Sequence, residues 1–272
     1  MTRDWRLVEN TGYRRGDGTG HESRIGKGAK LNICLTIDLG LTGYGEAWAL
    51  QKRVVAARKE GRIPDVLLLC EHAPVITLGR NASRKHLLAS EHVLRQKNVE
   101  LHESDRGGDV TYHGPGQIVG YPILNLSTIR RDVGWYVRSL EEVMIRATAE
   151  YGLVAGREEG KTGVWVKPAA EQEAEKLAAI GVHISRWVTS HGFAYNVETD
   201  LRYFDLIVPC GIAGRRATSL EKLLGRAVVA EEVAPRLVRQ FGEVFGLEMK
   251  PATARELQER LAACEQPAAI PA

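Results

Sequence analysis

The order of segments in this 272-residue chain predicts an α/β fold of the α+β type, a mixed and largely antiparallel sheet flanked by helices. Short apolar runs bounded by proline or glycine alternate with longer stretches whose apolar residues recur every three or four positions. Residues 161 to 197 are rich in Val, Ile, Thr, Trp and Tyr, the residue types that favour strands. No repeat at solenoid spacing breaks this order.

Along the chain, residues 1 to 30 mix glycine, arginine and acids without periodicity and read as an irregular N-terminal extension. The main domain spans residues 31 to 250, and residues 251 to 272 form a C-terminal helix and a loose tail. Residues 43 to 61 suit a helix. Residues 65 to 71 and 75 to 78 suit buried strands, being short, apolar and stopped by Pro64, Pro74 and Gly79. Ser90 suits the N-cap of a short helix, and residues 118 to 124 suit a strand that follows a glycine-rich loop. Asp132 can cap the clearest helix, whose apolar positions are Val133, Tyr136, Val137, Leu140, Val143, Met144, Ala147 and Tyr151. Residues 161 to 197 read as three strands in antiparallel hairpins, punctuated by Gly163, Gly181 and Gly192. Val233, Leu237, Val238, Phe241, Val244 and Phe245 mark a late amphipathic helix, and residues 254 to 263 a weaker one.

Composition removes several classes of function. Hydrophobic residues at 44% and charged residues at 26% fit a folded chain rather than a disordered or fibrous one. Apolar runs such as residues 66 to 70 fall far below the ~18 residues of a membrane span. The charged start, MTRDWRLVENTGYRR, does not read as a secretory signal, so a cytoplasmic protein is expected. A net charge of +3 is too small to point to nucleic acid. Four cysteines without C-x-x-C spacing predict neither a disulfide framework nor a metal site.

The chemistry concentrates in three places. The segment RGGDVTYHGPGQ, from Arg106 to Gln117, holds four glycines in twelve residues. Glycines let backbone N–H groups approach a ligand, which suits a substrate cradle. The same composition suits a tight connection with a hydrogen-bonded histidine, and residue types leave both readings open. Cys210 sits between Pro209 and Gly211, as a nucleophile on a turn would. Cys34 and Cys70 lie inside apolar runs and read as core, and nothing near Cys264 singles it out. A thiol needs a base or cation to become a nucleophile. Lys176 is one candidate, at the edge of an apolar strand where loss of water favours the neutral, basic amine. His113 and His191 are the others.

Taken together, RGGDVTYHGPGQIVGY, KLAAIGV, SHGFAYNV and VPCGI, in this order, closely resemble the lipoyl(octanoyl) transferase family over most of residues 31 to 250. The resemblance implies the fold of biotin and lipoate ligase catalytic domains, with the main domain as the acyltransferase unit. It implies Cys210 as the thioester-forming nucleophile and Lys176 as the residue that activates it. It implies substrate contacts from Arg106, Gly107, Gly108, Asp109, Val110, Thr111, Tyr112 and His113, from Ala179, Ile180 and Gly181, and from Gly192, Phe193 and Ala194. The implied reaction moves octanoyl from acyl carrier protein to a lysine of lipoyl domains, those of 2-oxoacid dehydrogenases and the glycine cleavage H protein, with no cofactor and no metal. An ATP-dependent lipoate or biotin ligase, and a non-catalytic module that binds acyl carriers, are the alternatives. The residues before 31 and after 250 receive no function from the resemblance.

Acyl carriers are acidic, so basic clusters suit their docking. Arg80, Arg84, Lys85, Arg95 and Lys97 stand against Glu91, and Arg215, Arg216, Lys222 and Arg226 against Glu221. A solvated surface is the bland alternative.

Overall fold

The computed structural model describes residues 32–168, 173–208 and 216–265. Strand β2 (Asp65–His72) shows why one sheet is covered on both sides. Its side chains alternate. Val66, Leu68 and Cys70 join a core with Ala47, Val54 and Ala57 of α1 (Tyr44–Lys59) and Leu257 and Leu261 of α6 (Ala254–Glu265). Leu67 and Leu69 join the opposite core, with Tyr136, Leu140, Val143 and Met144 of α3 (Val133–Ala149) and Val233, Leu237 and Phe241 of α5 (Ala230–Phe245). A strand buried on both faces reads as an unbroken apolar run.

Among the described residues, the main sheet has eight strands. From one edge they are β11 (Leu247–Pro251), β1 (Asn32–Thr42), β2, β6 (Gln117–Ile123), β10 (Val188–Asn196), β9 (Glu175–Ser185), β8 (Lys161–Val166) and β7 (Ala155–Glu158). β1 pairs in parallel with β11 and β2, and the other pairs are antiparallel. The expected class therefore holds. A second sheet sets β3 (Val75–Leu78) between β4 (Glu100–Glu103) and β5 (Val110–His113). It closes on its own core of Ile76, Leu78, Leu94, Val99, Val110 and Tyr112, with Leu94 supplied by α2 (Glu91–Gln96). Helix starts follow the expected caps, as Asp132 Oδ1 accepts the Trp135 N–H at 2.8 Å and Ser90 Oγ that of Val93 at 3.4 Å, and Ser219 Oγ accepts the Lys222 N–H at 3.3 Å at the start of α4 (Leu220–Leu224).

Two features differ from the sequence reading. The glycine-rich segment is not all loop, because β5 runs through it and pairs with β3. Gly181 and Gly192 do not punctuate the strands but face each other within β9 and β10. The hairpin turn falls instead at Arg186 and Trp187, with φ of 51° and 63°. The two glycines are needed for space. A Cβ on Gly192 would lie 2.1 Å from the Gly120 carbonyl oxygen, and one on Gly181 2.7 Å from that of Gly107. Among the described residues, no helix is long and apolar enough to cross a membrane.

Candidate functional site

Strands β6, β9 and β10 meet the segment between β4 and β5 around a cavity of about 530 Å³, within the ~300–1,000 Å³ of small-molecule pockets. Its wall contains Arg106, Gly107, Gly108, Asp109, Val110, Thr111 and His113, then Lys176, Ala179, Ile180 and Gly181, then Gly192, Phe193 and Ala194. Segments far apart in sequence thus converge on one space. Strand alternation turns Tyr112 away from it: its ring is buried in the small core and stacks on Tyr203 at 4.8 Å. Cys210 and Arg215 lie outside the described residues.

The charged members of the glycine-rich segment are spent on holding it. Arg106 is 7% exposed. Its Nη2 donates to the carbonyls of Thr77 and Asp109 at 2.6 and 2.7 Å, and its Nε to Thr77 Oγ1 at 3.0 Å. Asp109 Oδ1 accepts the N–H groups of Ser83 and Val110, while Oδ2 pairs with His86 Nδ1 at 2.5 Å. The Gly107 N–H donates to the Val182 carbonyl at 2.9 Å, fastening the segment to β9. Gly107 and Gly108, so fixed, reach the cavity wall without a Cβ between backbone and ligand.

Lys176 opens the buried run of β9, and its Nζ lies 4.7 Å from the centroid of Trp165. Such a cation over an indole face is held by the ring quadrupole. The Lys176 N–H donates to the Arg216 carbonyl and the Thr218 N–H to the Lys176 carbonyl, both at 2.9 Å. On the other side of residues 209 to 215, the Val208 N–H donates to the His86 carbonyl at 2.7 Å. The other cysteines behave as the sequence suggested. Cys34 and Cys70 are buried in the two cores, and burial pushes both thiols up, away from thiolate chemistry.

Sequence reading did not single out Tyr44, Val119, Tyr121, Val137, Lys161 and Thr162, which also line the cavity. Val119 and Tyr121 stand at the end of the RGGDVTYHGPGQIVGY motif without an assigned role, and the signals of the others were those of ordinary core or surface residues. His191, weighed as a base, lies on the wall with φ at 53°, a rare conformation away from glycine. The Gln51 side chain accepts its N–H at 2.8 Å, and its Nε2 lies 2.7 Å from Asp105 Oδ1. Burial holds the His191 ring below its usual pKa despite that carboxylate. For Asp105, burial pushes the carboxyl up, but the bond and charge of His191 and the charge of His183 outweigh it and hold it low.

His113 is more strongly perturbed. Burial, then the neighbouring His72, push it down to about 3, although the bond to Gln117 opposes this. Unfolding returns it to the usual ~6.5, so between those values the unfolded chain binds the extra proton. This part of the stability is complete above ~6.5 and is lost as pH falls, by up to ~1.4 kcal/mol per pH unit. Urea unfolding between roughly pH 7 and pH 5 is expected to show a shallower acid loss for His113→Gln than for the parent. Equal slopes would exclude His113 as the source.

Four of the basic residues in the two clusters are ion-paired where they are described. Arg84 pairs with Glu103 at 2.8 Å, Arg95 with Glu91 at 3.5 Å, Lys222 with Glu175 at 2.8 Å and Arg226 with Glu232 at 3.8 Å. Arg216 is exposed, and its backbone is bonded to Lys176.

Residues 43–242 match the family model described as the lipoyl protein ligase A/B catalytic domain. An octanoyltransferase of Acidobacterium capsulatum is 53% identical over 219 residues, covering 77% of this chain and 89% of that one. An octanoyltransferase of Chloroflexus aurantiacus is 54% identical over 211 residues, covering 77% and 93%. Among solved structures, a bipartite lipoate protein ligase of Thermoplasma acidophilum superposes with a TM-score of 0.67 at 17% identity, over 86% of this chain and 91% of that one. A lipoate-protein ligase A bound with ATP gives 0.66 at 16%, over 86% and 93%. At these identities the two structures share the fold alone. With the cavity-lining segments and six of the eight described strands of the main sheet inside the matched region, the chain belongs to the lipoyl protein ligase A/B catalytic domain family and is an acyltransferase.

Proposed function

We propose that this enzyme takes an octanoyl group from the thioester of an acyl carrier protein, holds it on Cys210 and passes it to a lysine of a lipoyl domain. One observation carries the reading: the segments named for substrate contact line a single cavity with Lys176 on its wall. The apolar stretch of that wall, Val119, Val137, Ile180, Val182 and Phe193, suits an alkyl chain. Relatives about half identical over most of their length are octanoyltransferases.

In the first half-reaction the Cys210 thiolate attacks the carrier thioester carbonyl. A carbon–sulfur bond forms, the carrier's carbon–sulfur bond breaks, and Lys176 returns the proton to the departing thiol. In the second, Lys176 takes a proton from the incoming lysine, whose nitrogen forms the amide and releases Cys210. Thioester exchange is nearly balanced and amide formation is downhill, so no ATP is required. The Lys176 backbone, bonded to Arg216 and Thr218, supports this reading by fixing the described flank of the Cys210 segment beside the base. The exposed Arg216 gives an acidic carrier a contact on the same side, and the reading places the enzyme in the cytoplasm, where carrier and acceptor meet.

Mass spectrometry of a lipoyl domain incubated with octanoyl carrier and nucleotide-free enzyme tests the proposal. The expected product carries an octanoyl amide without ATP. A strict requirement for ATP, with free acid as the donor, would replace the transferase by a ligase.

A further inference from the structure

The buried amides beside the cavity have one consistent orientation. The Thr218 atom facing Asn196 is the backbone carbonyl oxygen, which only accepts, so the Asn196 atom 2.9 Å away is the amide nitrogen. Asn196 therefore turns its oxygen to Gln117, whose Nε2 donates to it at 2.8 Å and to the Tyr112 carbonyl at 3.3 Å. Gln117 Oε1 is left facing His113 Nδ1 at 2.7 Å. An amide oxygen accepts, so Nδ1 carries the proton and the lone pair is on Nε2. Two backbone carbonyls thus decide the tautomer of a cavity-lining ring through two side chains. Gln117, Asn196 and Thr218 are 1%, 4% and 0% exposed, so bulk solvent does not compete for these bonds.

We propose that Gln117 and Asn196 are positioning residues that lock His113 in the Nδ1–H tautomer, so that the ring offers Nε2 to the cavity as an acceptor for a substrate N–H. For the identity of that substrate the inference rests on the acyl-transfer reading. The surroundings keep the ring neutral from every side. Tyr44 of α1 stacks on it at 6.3 Å, His72 of β2 meets it edge-on at 5.9 Å, and the charges of Arg106 and of His191 on β10 oppose its protonation. At its other end the relay finishes on Thr218, whose N–H bonds the Lys176 carbonyl. The lock and the lysine therefore share one frame. Both substrates of an acyl transfer to an amine can supply the N–H, through amides of the carrier's arm or through the incoming lysine.

Nitrogen-resolved NMR of the imidazoles in the full chain reads the tautomer directly. The expected His113 signature is a protonated Nδ1 and a bare Nε2 at neutral pH, and a protonated Nε2 would overturn the lock. Gln117→Glu supplies the kinetic test. A carboxylate on Nδ1–H favours the imidazolium, in which Nε2 donates, so the rate is expected to gain an acid limb of about tenfold per pH unit that the parent lacks, with recovery as pH rises. A limb in Cys210 acylation assigns the N–H to the carrier, and a limb in aminolysis assigns it to the lysine. Loss by one factor at every pH, the mark of structural damage, would overturn the inference. Should Gln117→Glu not fold, the tautomer of the parent decides. A parent that shows the tautomer but transfers no acyl group would sink the acyl-transfer reading and leave the lock standing.

Discussion

Replacing Cys210 by alanine is expected to abolish the acyl adduct and to slow transfer by roughly 10³-fold or more, the scale of losing a covalent nucleophile. The other three cysteines are poor substitutes. Cys34 is fully buried in the core that holds Leu67 and the α3 residues, Cys70 is 3% exposed in the opposite core, and burial pushes both thiols up. Cys264, on α6, packs partly buried against the core and is not among the residues that line the cavity. Intact mass after incubation with octanoyl carrier should show one added octanoyl group on the parent and none on Cys210→Ala. Peptide mapping should place the group on Cys210. An adduct on Cys34, Cys70 or Cys264, or full turnover by the alanine variant, would defeat the thioester mechanism.

Where burial and periodicity coincide, the sequence is easy to read. Tyr136, Leu140, Val143, Met144 and Ala147 recur at helical spacing because they cover one face of the sheet, and all five are fully buried. Val75–Leu78 ends between Pro74 and Gly79 because a proline has no N–H for a ladder and Gly79 must pass close to Gly108. Strand β5 was hidden because its four residues sit among glycines, and its partner β3 lies more than thirty residues upstream. Gly181 and Gly192 misled for a related reason. Glycine breaks a strand in isolation, but here a neighbouring backbone occupies the place of the Cβ, and only the pairing of β10 with β6 and the seating of Gly107 on β9 reveal that. The candidate residues on the cavity wall were recognisable as motifs, yet their division of labour was not. Arg106 resembles a ligand-binding cation in sequence, whereas its guanidinium is engaged by Thr77 and Asp109.

Lys176→Ala is expected to lower transfer by about 10²–10⁴-fold, the usual worth of a positioned acid–base group. Its cation is held near the Trp165 face at 4.7 Å, and its backbone is tied on both sides to residues 216 and 218. Removing the side chain should therefore spare the fold and leave Cys210 without the charge that favours its thiolate. An opposite charge within ~4–6 Å shifts a titrating group by about 1–3 units. Each unit lost by the thiol costs about tenfold in thiolate at neutral pH. Alkylation of Cys210 by iodoacetamide, followed against pH in a background where Cys34, Cys70 and Cys264 are replaced, should shift to higher pH in Lys176→Ala. Lys176→Arg separates the two roles, since it keeps the cation but not a usable base: its alkylation profile should stay near that of the parent while transfer falls. An unchanged alkylation profile in Lys176→Ala would move activation of the thiol to His113, to His191 or to the backbone.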